Sequence, residues 1–151
     1  MSRIVLLDAG PLGILTTPRQ TPPVLACRQW VDDLLARGVF VRIAEISDYE
    51  VRRELLRARK VRGLRRLDQL KIDLGYVPVT TAAMLQAAVF WAQLRQHGRP
   101  TAPDLALDGD VILSAQAALL RGEGHSVVVA TTNVQHLSRL VPADLWQNIT
   151  S

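Results

Sequence analysis

The amino-acid sequence predicts an α/β fold, a three-layer α/β/α sandwich around a central, mostly parallel sheet. Three observations carry that prediction. Segments of strand character alternate with segments of helical periodicity along the whole chain, the pattern of right-handed βαβ units. Two of the strands, Ile4–Leu7 and Ser126–Thr131, are apolar runs rather than alternating ones, as strands covered by helices on both faces require. At 151 residues, 48% of them hydrophobic and 21% charged, the chain is long enough to bury a sizeable core and too apolar to be disordered. No internal repeat, linker or low-complexity stretch divides it, so residues 1–151 are expected to form a single domain.

The first strand is Ile4–Leu7, which stops at Asp8, and Gly10–Pro11 is expected to supply a turn. From Pro22 to Ala36 the apolar positions Val24, Leu25, Val31, Leu34 and Leu35 recur at helical spacing, and Gly38 ends the helix. The β-branched segment Val39–Ile46 predicts the second strand. Ser47 or Asp48 is expected to cap the next helix, with YEVRRELLRARK as its body. A further helix runs to about Leu74 and stops at Gly75. Tyr76–Val79 is a brief third strand. Thr80 or Thr81 caps a long helix that continues to Gly98, and Arg99–Pro103 is a loop with two prolines. The segment DLALDGDVILSAQAALLRG reads as a helix interrupted at Gly109. SVVVAT (Ser126–Thr131) is another wholly apolar strand, and a last short strand is expected near Trp146–Ile149.

Composition narrows the function. The net charge is +4, from 18 basic and 14 acidic residues, and all the basic residues but Lys60 and Lys71 are arginine. Arg52, Arg53, Arg57, Arg59, Lys60, Arg62, Arg65 and Arg66 form a dense block on helical sequence. A solvated helix face would account for it, but arginine also holds phosphate in a two-pronged fork, which suits a nucleic-acid backbone. Arg53, Arg57 and Arg62 are the candidate RNA contacts. Cys27, the single cysteine, cannot form an internal disulfide, which fits a reducing cytoplasm, and its helical neighbours make it a packing residue. No apolar stretch approaches the roughly 20 residues of a membrane span, and no cleavable leader pattern opens the chain.

In an open α/β sheet, ligands bind beyond the carboxyl ends of the strands. Asp8 ends the first strand, Glu50 opens the helix after the second, Asp104, Asp108 and Asp110 cluster at the start of a later helix, and Asn133 follows SVVVAT. Each has an ordinary structural explanation as a turn former, dipole partner or N-cap. Independent caps need not converge on one sheet edge, however, and carboxylates that do converge repel unless a cation lies among them. Hard oxygen donors without a Cys/His pair favour Mg²⁺, with Mn²⁺ the alternative. Glu54, one helical turn beyond Glu50, and Asp108, two residues before Asp110, are rival ligands within the same clusters. His97 and His125 fall near helix ends, while His136 lies one turn past Asn133.

Four stretches in order, LLDAGPLG, EISDYEVRREL, LDGDVILSAQA and VVATTNVQHLSRL, make the chain resemble the PIN-domain family, specifically the VapC-type toxins of toxin–antitoxin modules. The resemblance spans nearly the whole sequence. It implies a PIN-like fold and a Mg²⁺-dependent endoribonuclease that hydrolyses RNA phosphodiester bonds, with Asp8, Glu50 and Asp110 as the catalytic metal-binding acids. It also implies a cognate antitoxin whose C-terminal segment lies along the nuclease groove, and a homodimer. The fourth family position, commonly Asp, is Asn133 here, a neutral oxygen that binds metal more weakly, with the Thr132 hydroxyl placed to support the same network. That departure sustains the alternative of a weak or inactive PIN-fold module that binds RNA or protein. Other acid-bearing α/β families fit less well. A phosphotransfer receiver needs a lysine near the last strand. A haloacid-dehalogenase-type phosphatase needs Asp where Gly10 stands, and a dinucleotide binder needs Gly where Asp8 stands.

Overall fold

Ile4, Val5, Leu6 and Leu7 are all buried, since helices cover both faces of the strand they form. The computed structural model describes residues 2–97 and 104–150, and the side chains of all of these except 104–106. Its strands are β1 (Arg3–Leu7), β2 (Phe40–Ala44), β3 (Tyr76–Val77), β4 (Ser126–Thr131) and β5 (Ala143–Leu145), arranged β3-β2-β1-β4-β5 and parallel throughout. The helices are α1 (Ala9–Thr16), α2 (Pro22–Ala36), α3 (Glu45–Arg57), α4 (Val61–Leu74), α5 (Thr81–Gln96) and α6 (Asp104–Gly122). One sheet face packs Val5, Leu7, Val41 and Ile43 against Leu12, Cys27, Leu34 and Leu67 from α1, α2 and α4. The other packs Ile4, Leu6, Val127 and Val129 against Leu113 and Ala117 of α6. Helix α5 lies outermost on that side, joined to α6 through Ala83, Ala87, Val111 and Ala115. The three-layer sandwich is the predicted one.

Several local expectations need correction. Gly10–Pro11 is no turn: both lie within α1, whose N-cap is Asp8. Pro11 falls in the first turn, where its missing N–H has no intrahelical acceptor to lose. Val39–Ile46 does not run as one strand, because α3 already begins at Glu45. Ser47 and Asp48 therefore lie inside the helix, and Ala44 takes the cap position. Glu45 has a different task. Its Oε1 accepts the Val79 N–H at 2.6 Å and its carboxylate also accepts the Tyr76 hydroxyl, tying down the edge strand β3, which is two residues long rather than four. Near the chain end, β5 precedes Trp146, and Trp146–Asn148 forms a 3₁₀ turn. Trp146 is buried against Trp30, whose Nε1–H donates to the Ile149 carbonyl at 2.9 Å, so these residues are apolar for packing and not for a strand. Thr80 caps α5 as expected, its hydroxyl accepting the Ala83 N–H at 3.1 Å. The expected stop at Gly98, the loop Arg99–Pro103 and the Asp104 side chain lie outside the described residues.

The arginine block falls on two helices. Helix α3 ends in a Schellman motif, with Lys60 N–H on the Leu55 carbonyl at 2.9 Å and Arg59 N–H on that of Leu56 at 3.1 Å. The left-handed position that glycine usually fills is occupied by Arg59, at φ 54°. Arg52 serves the fold: it pairs with Asp48 at 2.9 Å within α3 and with Asp68 of α4 at 2.9 Å, stitching the two helices together.

Candidate functional site

The strand order reverses between β1 and β4, and the crevice beyond their carboxyl ends is where ligands bind in sheets of this kind. Asp8 stands there. Its N–H continues the ladder to the Ala130 carbonyl at 2.9 Å, which fixes its backbone. Oδ1 accepts the Ala9 N–H at 2.7 Å, and Oδ2 accepts the Thr131 hydroxyl at 2.7 Å. One carboxylate thus caps α1 and faces the crevice, and each oxygen keeps a lone pair for a further partner. Burial pushes the Asp8 carboxyl above its usual range, and those two hydrogen bonds only partly oppose it.

Glu50 arrives from α3 and Asp110 from α6. The Glu50 carboxyl is raised by burial and then by the charge of Asp8, with Arg53 pulling the other way and Asp110 adding to the rise. Asp110 is raised by burial and by Asp8, against the influence of His136. The three acids therefore sit within electrostatic reach of one another, as the sequence predicts. A glycine makes the approach possible: a Cβ on Gly109 would lie 2.8 Å from Oε1 of Glu50, so the apparent interruption in α6 is the seat for that carboxylate.

The other candidates separate cleanly. Glu54 is exposed and pairs with Arg57 at 2.9 Å, in the lining of the groove that leads away from Glu50. Asp108 is exposed beside Met84, Trp91 and Ile112, on the α5 side of α6. Asn133 is exposed, its Oδ1 accepting the Gln135 N–H at 3.3 Å, while its own N–H donates to the Thr131 hydroxyl at 3.0 Å. The hydroxyl that supports the acids is therefore that of Thr131, not Thr132, which packs instead against Gly10. His136 matters more than its position suggested, for its Nδ1 lies 3.1 Å from Oδ2 of Asp110 with both side chains about a fifth exposed, at 22% and 23%. Only its one-turn offset from Asn133 hinted at this, and the partner on α6 was beyond any local pattern. Cys27 is buried and its thiol is pushed up to about 12, in keeping with a packing role.

A groove of about 1020 Å³ leads away from Glu50 between α1 and the α3–α4 pair. Arg53, Arg57, Lys60, Arg62 and Arg19 line it, so all three predicted RNA contacts share one wall. Arg53 stacks over the exposed Tyr49 ring at 5.1 Å, facing the acids with a counter-charge.

The donor set suits a hard divalent cation: three carboxylates, no sulfur, raised affinity for positive charge and spare lone pairs. Among the described residues no three acidic or histidine side chains close into a finished cage, so the acids converge without yet meeting at one point.

Fold and site together define a PIN-like α/β/α protein with an acidic crevice at its switch point. Its structural likenesses are specific. A chain of the VapBC2 crystal structure from Rickettsia felis, bound to a DNA fragment from their promoter, matches with TM-score 0.70 and 14% identity over 95% of this chain and 98% of that one. A chain of VapBC-1 from nontypeable Haemophilus influenzae matches with TM-score 0.69 and 16% identity, covering 96% and 99%. One of FitAcB from Neisseria gonorrhoeae matches with TM-score 0.69 and 18% identity, covering 96% and 99%. No family model and no curated protein matches the sequence.

Proposed function

We propose that this protein is a Mg²⁺-dependent endoribonuclease, the toxin of a toxin–antitoxin pair acting in the cytoplasm. The observation that carries the proposal is the convergence of Asp8, Glu50 and Asp110 from three chain segments, each carboxyl held above its ordinary range. Mutual repulsion is a cost to the folded chain that a bound cation removes. In this reading Asp8, Glu50 and Asp110 hold the metal. When bound, Mg²⁺ supplies neutralisation of a phosphate oxygen and a lowered pKa for a water. Thr131 fixes the Asp8 carboxylate, and His136 orients that of Asp110. Arg53 attracts the phosphate chain and limits the net negative charge that approaching RNA meets, and Arg57 and Arg62 carry the strand onward.

Two of these structural neighbours are chains of VapBC structures, which supports an antitoxin as partner. The exposed apolar residues Met84, Leu85, Val89 and Trp91 along α5 support a homodimer through that face. Leu85→Glu then yields a monomer by light scattering.

The test of the activity is Mg²⁺-dependent cleavage of structured RNA by wild type and by Asp8→Ala. Cleavage by the wild type alone is expected. Equal cleavage by both, or none with any divalent metal, favours a binding module, the reading to which the exposed, locally bonded Asn133 lends weight.

A further inference from the structure

At its Arg62 end the groove is lined by Thr16 and Thr17, the last residues of α1 and its cap, and the guanidinium groups of Arg28 and Arg66 reach that end of α1 from just outside the lining. Arg28 of α2 donates from Nη2 to the Thr17 carbonyl at 2.8 Å, and Arg66 of α4 donates from Nε to that of Leu15 at 3.4 Å. Both thereby sit at the negative end of α1, where cations are favoured. That role uses one nitrogen of each. The Nε of Arg28 is buried without a partner. Arg62, one turn before Arg66, lines the groove beside Thr16 and Thr17. No carboxylate among the described residues lies within ion-pair distance of any of the three. Partial burial, and then the charges of Arg28 and Arg62, hold Arg66 below its ordinary range, so the groups are near enough to repel.

Like charges gathered without a counter-charge are stabilised by an anion, and guanidinium forks match phosphate oxygens in pairs. Continuity decides which anion. The lining runs from Glu50 past Arg53, Arg57 and Lys60 to Arg62; Glu54 offsets Arg57, and the remaining excess of cations suits a polymer with a negative charge on every unit. We propose that Arg62, with Arg28 and Arg66 at the adjoining end of α1, forms a phosphate subsite where the RNA strand leaves the groove, remote from the phosphodiester at the carboxylates. This rests on the nuclease reading of that groove.

The experiment is fluorescence anisotropy of a labelled single-stranded RNA oligonucleotide in EDTA, so that binding is read without cleavage, across about 50 to 200 mM salt. Arg62→Gln removes no side-chain hydrogen bond or ion pair among the described residues and is expected to lower the slope of log K against log salt by about 0.7, one phosphate contact on a single strand. Arg28→Lys/Arg66→Lys keeps the charge and is expected to keep the slope while affinity falls at least threefold, because the fork is lost. A wild-type slope for Arg62→Gln and wild-type affinity for the lysine pair overturn the subsite. So does a loss confined to an oligoglutamate peptide, which assigns the cluster to an acidic protein partner. Should the variants behave as expected while the wild type cleaves no RNA, the subsite stands and the nuclease reading falls.

Discussion

Gly109→Ala isolates the geometry of the acidic crevice from the stability of the fold. In a helix interior, glycine to alanine is worth about 1 kcal/mol in propensity. For a domain of this size that corresponds to a Tm increase of roughly 2–4 °C in metal-free buffer. The new Cβ, however, would stand 2.8 Å from Oε1 and 3.3 Å from Cδ of Glu50. The flexible carboxylate yields before the backbone does and swings away from Asp8 and Asp110. A misplacement of about 1 Å costs on the order of 10²-fold in rate. In the wild type, Mg²⁺ at about 100 times its Kd adds roughly 2.7 kcal/mol of stability. Gly109→Ala is thus expected to melt higher in EDTA, to gain less from Mg²⁺, and to cleave RNA about a hundredfold more slowly. Differential scanning fluorimetry with and without Mg²⁺, beside a single-turnover cleavage assay, measures all three. An alanine variant with wild-type cleavage and a wild-type Mg²⁺ shift would refute the reasoning, because Glu50 would then have no need of its seat.

Three further outcomes are expected. The raised carboxyls make the folded chain bind more protons than the unfolded one above the ordinary values of 3.8 and 4.5, so metal-free stability falls as pH rises through that window. Asp8→Asn should accordingly unfold at higher urea than wild type at pH 7 in EDTA and lose this advantage below pH 3.8, whereas earlier unfolding at pH 7 contradicts the repulsion argument. Thr131→Val removes the 2.7 Å hydrogen bond to Asp8 and strips the Asn133 N–H of its acceptor. Bonds to charged groups are worth about 1.5–3 kcal/mol, so chemical denaturation should register a loss of that order, together with slower cleavage. Arg59→Gly relieves a left-handed φ of 54° and should stabilise the protein by about 1 kcal/mol, seen as a higher urea midpoint with an unchanged m-value.

The sheet was legible because β1 and β4 are shielded on both faces, which leaves an unbroken apolar signature in the sequence. Asp8 was legible for a related reason: it is the first polar residue after such a run. Helix α1 was hidden by Gly10–Pro11, where glycine serves close packing, since a Cβ there would collide with the Thr132 side chain. Edge strands β3 and β5 are too short to impose a pattern and owe their existence to contacts such as Glu45 with the Val79 N–H. The choices between Glu50 and Glu54, and between Asp108 and Asp110, turn on which side of a helix meets its neighbour. Periodicity places residues on a face but cannot say what lies opposite. For the same reason Arg52 and Arg53 look alike in sequence, yet the first is a structural clasp between helices and the second lines the groove within electrostatic reach of Glu50.

The grip of Thr131 on Asp8 joins residues 123 positions apart. During synthesis β1 emerges early, but until β4 lies beside it one flank of that strand is open, and Asp8 lacks both the hydroxyl and the Ala130 carbonyl that hold it. Contacts this distant form late, after most of the polypeptide exists. On the nuclease reading, a ribosome making this protein handles a harmless precursor for nearly the whole of translation, and the hazard to cellular RNA arises only as the final long strand docks.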